Sequence, residues 1–83
     1  MYQVVIDRQA EKQLGKIPPP HFERIVKAIN GLAKNPRVPG HIKLFRRPAY
    51  RIRIGAYRVI YAINDKTLTV FIIDIGDRKN IYK

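Results

Sequence analysis

The fold of this chain is decided by residues 50–61, which read YRIRIGAYRVIY. Apolar residues alternate with arginines on both sides of Gly55, so each run predicts a β-strand with one buried face. The Gly-Ala pair between the runs predicts a tight connection. We therefore predict an antiparallel hairpin that carries Arg51, Arg53 and Arg58 together on the face opposite its apolar residues.

Further strands are predicted on both sides of this hairpin. Residues 68–75 carry apolar side chains at both odd and even positions, so both faces of the strand are apolar, which is typical of a central strand. Gly76 is predicted to end that strand. Residues 42–45 are a short strand candidate ahead of the hairpin, and residues 2–6 form a β-branched run at the N-terminus. Together these runs predict a small, mostly antiparallel sheet.

Two helices are predicted between the first strand and the hairpin. Residues 8–16 and 21–34 carry apolar side chains at spacings of three and four, and Asp7 offers an N-cap to the first helix. Three prolines at 18–20 separate the helices, because proline ends one helix and is well placed in the first turn of the next. The predicted fold class is α+β, with an N-terminal strand and an α-helical hairpin packed on one face of the sheet.

The chain is short and strongly basic. Its 83 residues predict one domain, residues 1–83, and its 17 Lys and Arg against 6 Asp and Glu give a formal net charge of +11. Such a charge on so small a body favours a polyanionic partner, with nucleic acid first and an anionic membrane or an acidic protein behind it. A soluble basic protein without such a partner is the alternative.

The positive charge is concentrated in residues 24–64, which contain ten basic residues and no acidic one. Arginine suits phosphate binding because its guanidinium forks onto two oxygens and stacks on bases. Three arginines on one sheet face with no carboxylate between them therefore predict a phosphate site, with a plain solvated face as the alternative. The residues expected to bind RNA are Arg51, Lys43, Arg46 and Arg47. Tyr82, beyond the last strand, is expected to stack on a base or to clasp the chain end.

The composition excludes several classes of protein. Cysteine is absent, which rules out disulfides, thiolate metal sites and cysteine nucleophiles. The N-terminus does not read as a signal peptide, and no window approaches the roughly 18 apolar residues of a membrane span. His21 and His41 lack the spacing of a zinc motif. We expect a cytoplasmic protein with no metal, no small-molecule cofactor and no membrane partner.

Three motifs in the second half of the chain occur in order and at close spacing. They are YRIR at 50–53, GAYRVIY at 55–61 and IGDR at 75–78, and Ile81-Tyr82 follows shortly after. With the helical hairpin ahead of them, they make the sequence resemble the RelE/ParE superfamily of toxins from prokaryotic type II toxin-antitoxin modules. The resemblance covers nearly the whole chain.

The resemblance implies an activity and a set of site residues. Toxins of the RelE branch enter the ribosomal A site and cut mRNA without a metal, and a cognate antitoxin neutralises them. Carried over by motif, the RelE site falls here on Arg51, Arg53, Arg58, Arg78 and Tyr82. Arg58 and Arg78 would stabilise the charge that develops on the phosphorane. Arg53 would hold the reacting phosphate, Arg51 a flanking one, and Tyr82 would orient the nucleotide.

Two questions stay open at the level of the sequence. ParE-branch toxins share the fold but inhibit DNA gyrase, and a relative that only binds RNA or an antitoxin is a third possibility. Arg51 and Arg53 stand where the best-known RelE toxins have lysines, and arginine, with a pKa above roughly 12, is a poor general base. Removal of the proton from the RNA would then need a substrate or ribosomal group, or a tyrosine.

Overall fold

A computed structural model describes residues 1–77, within which the chain forms two helices and five strands. The helices are α1 (Arg8–Gly15) and α2 (His21–Lys34). The strands are β1 (Gln3–Ile6), β2 (Ile42–Lys43), β3 (Tyr50–Ile54), β4 (Tyr57–Asn64) and β5 (Thr69–Asp77). The predicted α+β class, with a helical hairpin between the first strand and the rest of the sheet, is confirmed.

Both helices form where their caps and apolar stripes predict them. Asp7 Oδ2 accepts a hydrogen bond from the Gln9 amide at 3.2 Å, which satisfies one of the donors that the first turn of α1 leaves free. Lys34 lies in the last turn of α2, where a cation complements the helix dipole. The buried stripes of the two helices consist of Ala10 and Leu14 in α1 and of Ile25, Ile29 and Leu32 in α2.

The five strands form one sheet in the order β1-β5-β4-β3-β2. β1 pairs with β5 in parallel, and every other pairing is antiparallel. The first strand therefore lies beside the last one, and the two helices connect β1 to β2 at the opposite edge of the sheet. This arrangement leaves the predicted hairpin, β3 and β4, in the other half of the sheet.

The helices and one sheet face enclose the hydrophobic core. Tyr61 is at its centre with no exposed surface, and its hydroxyl donates a 2.6 Å hydrogen bond to the Pro36 carbonyl in the segment after α2. A buried hydroxyl needs such a partner, because an unsatisfied polar group in the core is costly. The bond ties the end of the helical hairpin to the middle of the sheet.

Three predicted strands have different bounds in the structure. β1 starts at Gln3, one residue later than predicted. β2 stops at Lys43 because the Leu44 amide donates to the Ala49 carbonyl at 2.8 Å and Arg46 adopts a left-handed φ of 62°, so the chain turns instead of extending. β5 starts one residue late because Leu68 has a φ of 50°. It also continues through Gly76, which the sequence predicted to end it and which pairs with Arg58.

A β-bulge interrupts β5 near its middle. Ile60 pairs with Asp74 whereas Tyr61 pairs with Ile72, so Ile73 is an extra residue without a partner of its own in β4. A bulge of this kind shifts the alternation of all residues beyond it by one. Asp74 therefore lies on the face opposite Val70 and Ile72, and Ile75 occupies the next core position.

Within residues 1–77, neither helix is long and apolar enough to cross a membrane.

Candidate nucleic-acid interface

The sheet face opposite the helices carries three arginines from the β3–β4 hairpin. Arg53 lies directly opposite Arg58, and Arg51 lies opposite Ile60. Directly paired residues of antiparallel strands share a face, with Cβ atoms roughly 5 Å apart. The hairpin register thus places the three side chains on one surface, which we call the arginine face: Arg51, Arg53, Arg58, Ile60 and the β5 residues paired with them.

The arginine face is more deeply covered than alternation alone indicates. Arg58 and Ile60 are each only 4% exposed, Arg51 is half-buried, and Arg53 is exposed. Alternation fixes which side of the sheet a residue occupies, but it does not fix how much of that side is covered. The arginine face therefore carries one exposed arginine, Arg53, beside one that is almost fully buried, Arg58.

The arginine face also holds a carboxylate, which simple alternation does not place there. Asp74 pairs with Ile60 across the bulge, so it lies on the arginine face in one row with Ile60 and Arg51. Without the bulge, Asp74 would share the core side with Ile72, where no charge is expected. The signal in the sequence is that unbroken alternation from Val70 and Ile72 would place the charged Asp74 in the core, whereas a bulge gives that position to Ile75.

An unmatched donor and an unmatched acceptor lie in this row. Arg51 Nη1 and Asp74 Oδ1 are both buried, and neither has a hydrogen-bond partner among residues 1–77. Two strand spacings separate β3 from β5, about 10 Å, and Ile60 stands between the two side chains. Each group lacks a partner that native proteins normally provide for buried polar atoms.

The other predicted RNA-binding residues form a separate cluster at the loop after β2. A groove of about 310 Å³ is lined by Lys43, Leu44, Arg46, Arg47 and Pro48. Lys43 pairs with Tyr50 and so faces the helix side of the sheet. The Arg46 guanidinium lies over the exposed Phe45 ring, 5.0 Å from its centroid. The structure thus brings Lys43, Arg46 and Arg47 together but does not bring them onto the arginine face.

Arg37, another cation of the acid-free stretch, is engaged in an ion pair. Its Nη1 and Nη2 donate to the two carboxylate oxygens of Asp65 at 3.2 and 2.9 Å, and the Tyr2 hydroxyl donates to Asp65 Oδ1 at 2.5 Å. The hydrogen bond from Arg37 lowers the pKa of Asp65, and the neighbouring carboxylate raises the pKa of Tyr2. Since its charge is already neutralised, Arg37 is a weak candidate for binding a phosphate.

A larger cavity borders β3. It has a volume of about 520 Å³, and it lies between α2, the loop at residues 38–40 and β3. Arg53 is the one charged residue in its lining, so it offers little to a phosphate backbone. No group of three histidine or carboxylate side chains within residues 1–77 is arranged to hold a metal ion.

Two predicted site residues, Arg78 and Tyr82, lie outside the described residues.

Comparison with known proteins gives the class to which this molecule belongs. A model of the ParE toxin family of type II toxin-antitoxin systems matches residues 4–82. Toxin RelG of Mycobacterium tuberculosis is 31% identical over 99% of this chain and 97% of its own length. The chain is therefore a member of the RelE/ParE family of type II toxin-antitoxin toxins.

Solved structures place the chain among the RelE-like members of that family. A chain of the archaeal RelE–RelB complex from Pyrococcus horikoshii superposes with a TM-score of 0.82 at 34% identity, over 95% of this chain and 97% of that one. A chain of the toxin-antitoxin complex RelBE2 from Mycobacterium tuberculosis gives a TM-score of 0.82 at 29% identity, over 93% and 98%. The expectation that this is a RelE-like toxin is confirmed.

Proposed function

We propose that this protein is a ribosome-dependent mRNA endonuclease that inhibits translation and that a cognate antitoxin neutralises. The observation that carries the proposal is the arginine face, where Arg53 and Arg58 lie directly opposite each other and Arg51 Nη1 has no hydrogen-bond partner within residues 1–77. Guanidinium groups gathered on one face suit an anion, because each can donate two hydrogen bonds to anionic oxygens. RNA supplies such an anion in every backbone phosphate.

The chemistry follows from where each arginine lies. Attack of a ribose 2′-hydroxyl on the adjacent phosphorus builds negative charge on a phosphorane, which preorganised cations stabilise strongly. Arg58 is held almost fully buried and is the most preorganised of the three. In the proposed mechanism Arg58 stabilises the phosphorane, Arg53 holds the reacting phosphate and Arg51 a flanking one. The family resemblance adds Arg78 and Tyr82.

The RelE-like relatives point to the partners. The similar structures from Pyrococcus horikoshii and Mycobacterium tuberculosis are toxin-antitoxin complexes. We propose that this chain likewise binds a cognate antitoxin, with an acidic segment that competes with mRNA for the arginine face. The proposed site of action is the cytoplasm, where ribosomes and mRNA are.

A ParE-like inhibitor of DNA gyrase is the second candidate function, because the family model that matches the chain is that of the ParE toxins. The two candidates differ in the molecule that is damaged. An mRNA endonuclease leaves cut messages and intact DNA. A gyrase inhibitor leaves trapped gyrase complexes and intact messages.

Primer extension on mRNA, with and without ribosomes, tests the proposal. We expect cuts only when ribosomes are present, and we expect Arg53→Gln to abolish them. Arg24→Gln is the matched control, since it removes the same charge from an exposed position on α2 and is expected to cut like the wild type. Growth arrest with intact messages would refute the endonuclease. Absence of any growth arrest at confirmed expression would favour a relative that only binds RNA or an antitoxin.

A further inference from the structure

The proposed cleavage needs a group that takes a proton from the 2′-hydroxyl, and the three arginines of the site cannot serve. A guanidinium stays protonated at any physiological pH, so it can donate hydrogen bonds but cannot act as a base. Among residues 1–77, Asp74 is the carboxylate that the sheet places on the arginine face. A carboxylate within reach of the reacting hydroxyl is an established type of general base.

The other five acidic residues are accounted for elsewhere. Asp65 is paired with Arg37, and Asp7 caps α1. Glu11 and Glu23 are exposed on the two helices. Asp77 pairs with Tyr57, whose side chain packs against the core, so the register assigns Asp77 to the helix side of the sheet. Asp74 alone shares a face with the arginines.

The unmatched polar atoms of this row indicate what kind of ligand fits it. Within residues 1–77, Arg51 Nη1 lacks an acceptor and Asp74 Oδ1 lacks a donor, and Ile60 holds the two side chains apart. A ligand that satisfies both groups must offer an anionic oxygen on one side of Ile60 and a hydroxyl on the other. RNA has this pattern in a ribose 2′-hydroxyl and a flanking backbone phosphate, whereas DNA lacks the hydroxyl.

We propose that Asp74 is the general base of the cleavage, an inference that rests on the endonuclease function proposed above. The Asp74 carboxylate takes the 2′-hydroxyl proton while the 2′-oxygen forms a bond to phosphorus, and the bond from phosphorus to the 5′-oxygen breaks. Water gives a proton to the departing 5′-oxygen, and the resulting hydroxide takes the proton from Asp74. The products are a 2′,3′-cyclic phosphate and a 5′-hydroxyl, and the enzyme is regenerated.

Asp74→Asn tests this role because it keeps the size of the side chain and removes its basicity. On ribosomes programmed with a short mRNA, we expect single-turnover cleavage to fall by about 100-fold or more, the usual contribution of a general base. Binding of the same mRNA with 2′-deoxyribose at the cut site should be as tight as for the wild type or tighter, since a negative charge has left a phosphate-binding face. Glu11→Gln changes the net charge equally and is expected to alter neither rate nor binding.

A second substrate, with a different leaving group, distinguishes a general base from a general acid. A 5′-phosphorothiolate linkage has a sulfur leaving group that needs no proton. If Asp74 is the base, Asp74→Asn should therefore slow cleavage of this substrate as much as it slows cleavage of the natural one. Recovery of the rate on this substrate would make Asp74 the acid and overturn the proposal. Asp74→Glu retains a carboxylate and is expected to cut faster than Asp74→Asn; equal loss in both variants would indicate a structural role and also overturn it.

The outcome for Asp74 can be told apart from the outcome for the proposed function. If the wild type cuts mRNA and Asp74→Asn cuts at the same rate, the endonuclease stands and the assignment of Asp74 fails. If the wild type does not cut mRNA on ribosomes, both proposals fail.

Discussion

Arg53 and Arg58 lie directly opposite each other on the neighbouring antiparallel strands β3 and β4. Like charges in such a pair destabilise the folded protein, with cross-strand pairs contributing about 0.2–1 kcal/mol. We therefore expect Arg53→Gln to raise the free energy of unfolding by a few tenths of a kcal/mol while it removes toxicity. Urea unfolding at low ionic strength and growth of an expressing host measure the two effects.

An Arg-to-Gln substitution outside the pair distinguishes the repulsion between Arg53 and Arg58 from the general effect of removing one positive charge. Arg24→Gln, on an exposed position of α2, should change neither stability nor toxicity. The gain in Arg53→Gln should shrink only slightly as salt is added, because Arg58 is almost fully buried and buried charges are screened much less than exposed ones. A loss of stability in Arg53→Gln would mean that the opposed arginines are not a cost to the fold.

The buried hydroxyl of Tyr61 makes stability depend on alkaline pH. Burial raises the pKa of Tyr61 to about 12, while the unfolded chain has the ordinary value of 10.0. Because the raised pKa belongs to the folded state, this contribution is complete below pH 10 and is lost as pH rises towards about 12. Urea unfolding across this window, followed with tyrosinate absorbance, should show stability falling as the proton leaves.

Tyr61→Phe isolates that contribution. At neutral pH the variant should lose about 1–2 kcal/mol, because the Pro36 carbonyl is left without its buried donor. The difference from the wild type should shrink above pH 10, since phenylalanine has no proton to lose. A difference that stays constant up to pH 12 would contradict the assignment of the alkaline transition to Tyr61.

The ion pair between Arg37 and Asp65 makes stability depend on acid pH. The hydrogen bond from Arg37 lowers the pKa of Asp65, so the unfolded chain takes up the proton first as pH falls. The contribution of the pair is present above the ordinary aspartate pKa of about 4 and is lost at lower pH. Asp65→Asn should therefore flatten the acid side of a plot of melting temperature against pH. Glu23→Gln, which lacks such a partner among residues 1–77, should leave the plot unchanged.

The sequence predicts most of this fold because its strongest signals are local. Alternation in the hairpin places the three arginines on one face, and helical spacing with proline punctuation defines the two helices. Alternation could not predict the face on which Asp74 lies, because that face depends on a bulge at Ile73 that reverses the alternation of the last strand. The near-complete burial of Arg58 depends on tertiary covering, which no periodicity encodes.

The bulge that orients Asp74 is supported from α1. Gln13 Oε1 accepts a hydrogen bond from the Ile75 amide at 2.9 Å, and Ile75 lies beyond the point where β1 ends its pairing with β5 at Ile72. The side chain thus satisfies an amide that has lost its neighbouring strand, directly after Asp74 in the chain. Gln13→Ala should cost about 1 kcal/mol, as expected for the loss of one hydrogen bond.

Amide exchange and cleavage together test this support. In Gln13→Ala the Ile75 amide should exchange faster than in the wild type, and mRNA cleavage should fall because Asp74 is held less firmly. Gln13→Glu is the matched control, since its carboxylate can accept the same hydrogen bond and should preserve both protection and activity. If Gln13→Ala loses the protection of Ile75 but cuts mRNA at the wild-type rate, the position of Asp74 does not depend on α1.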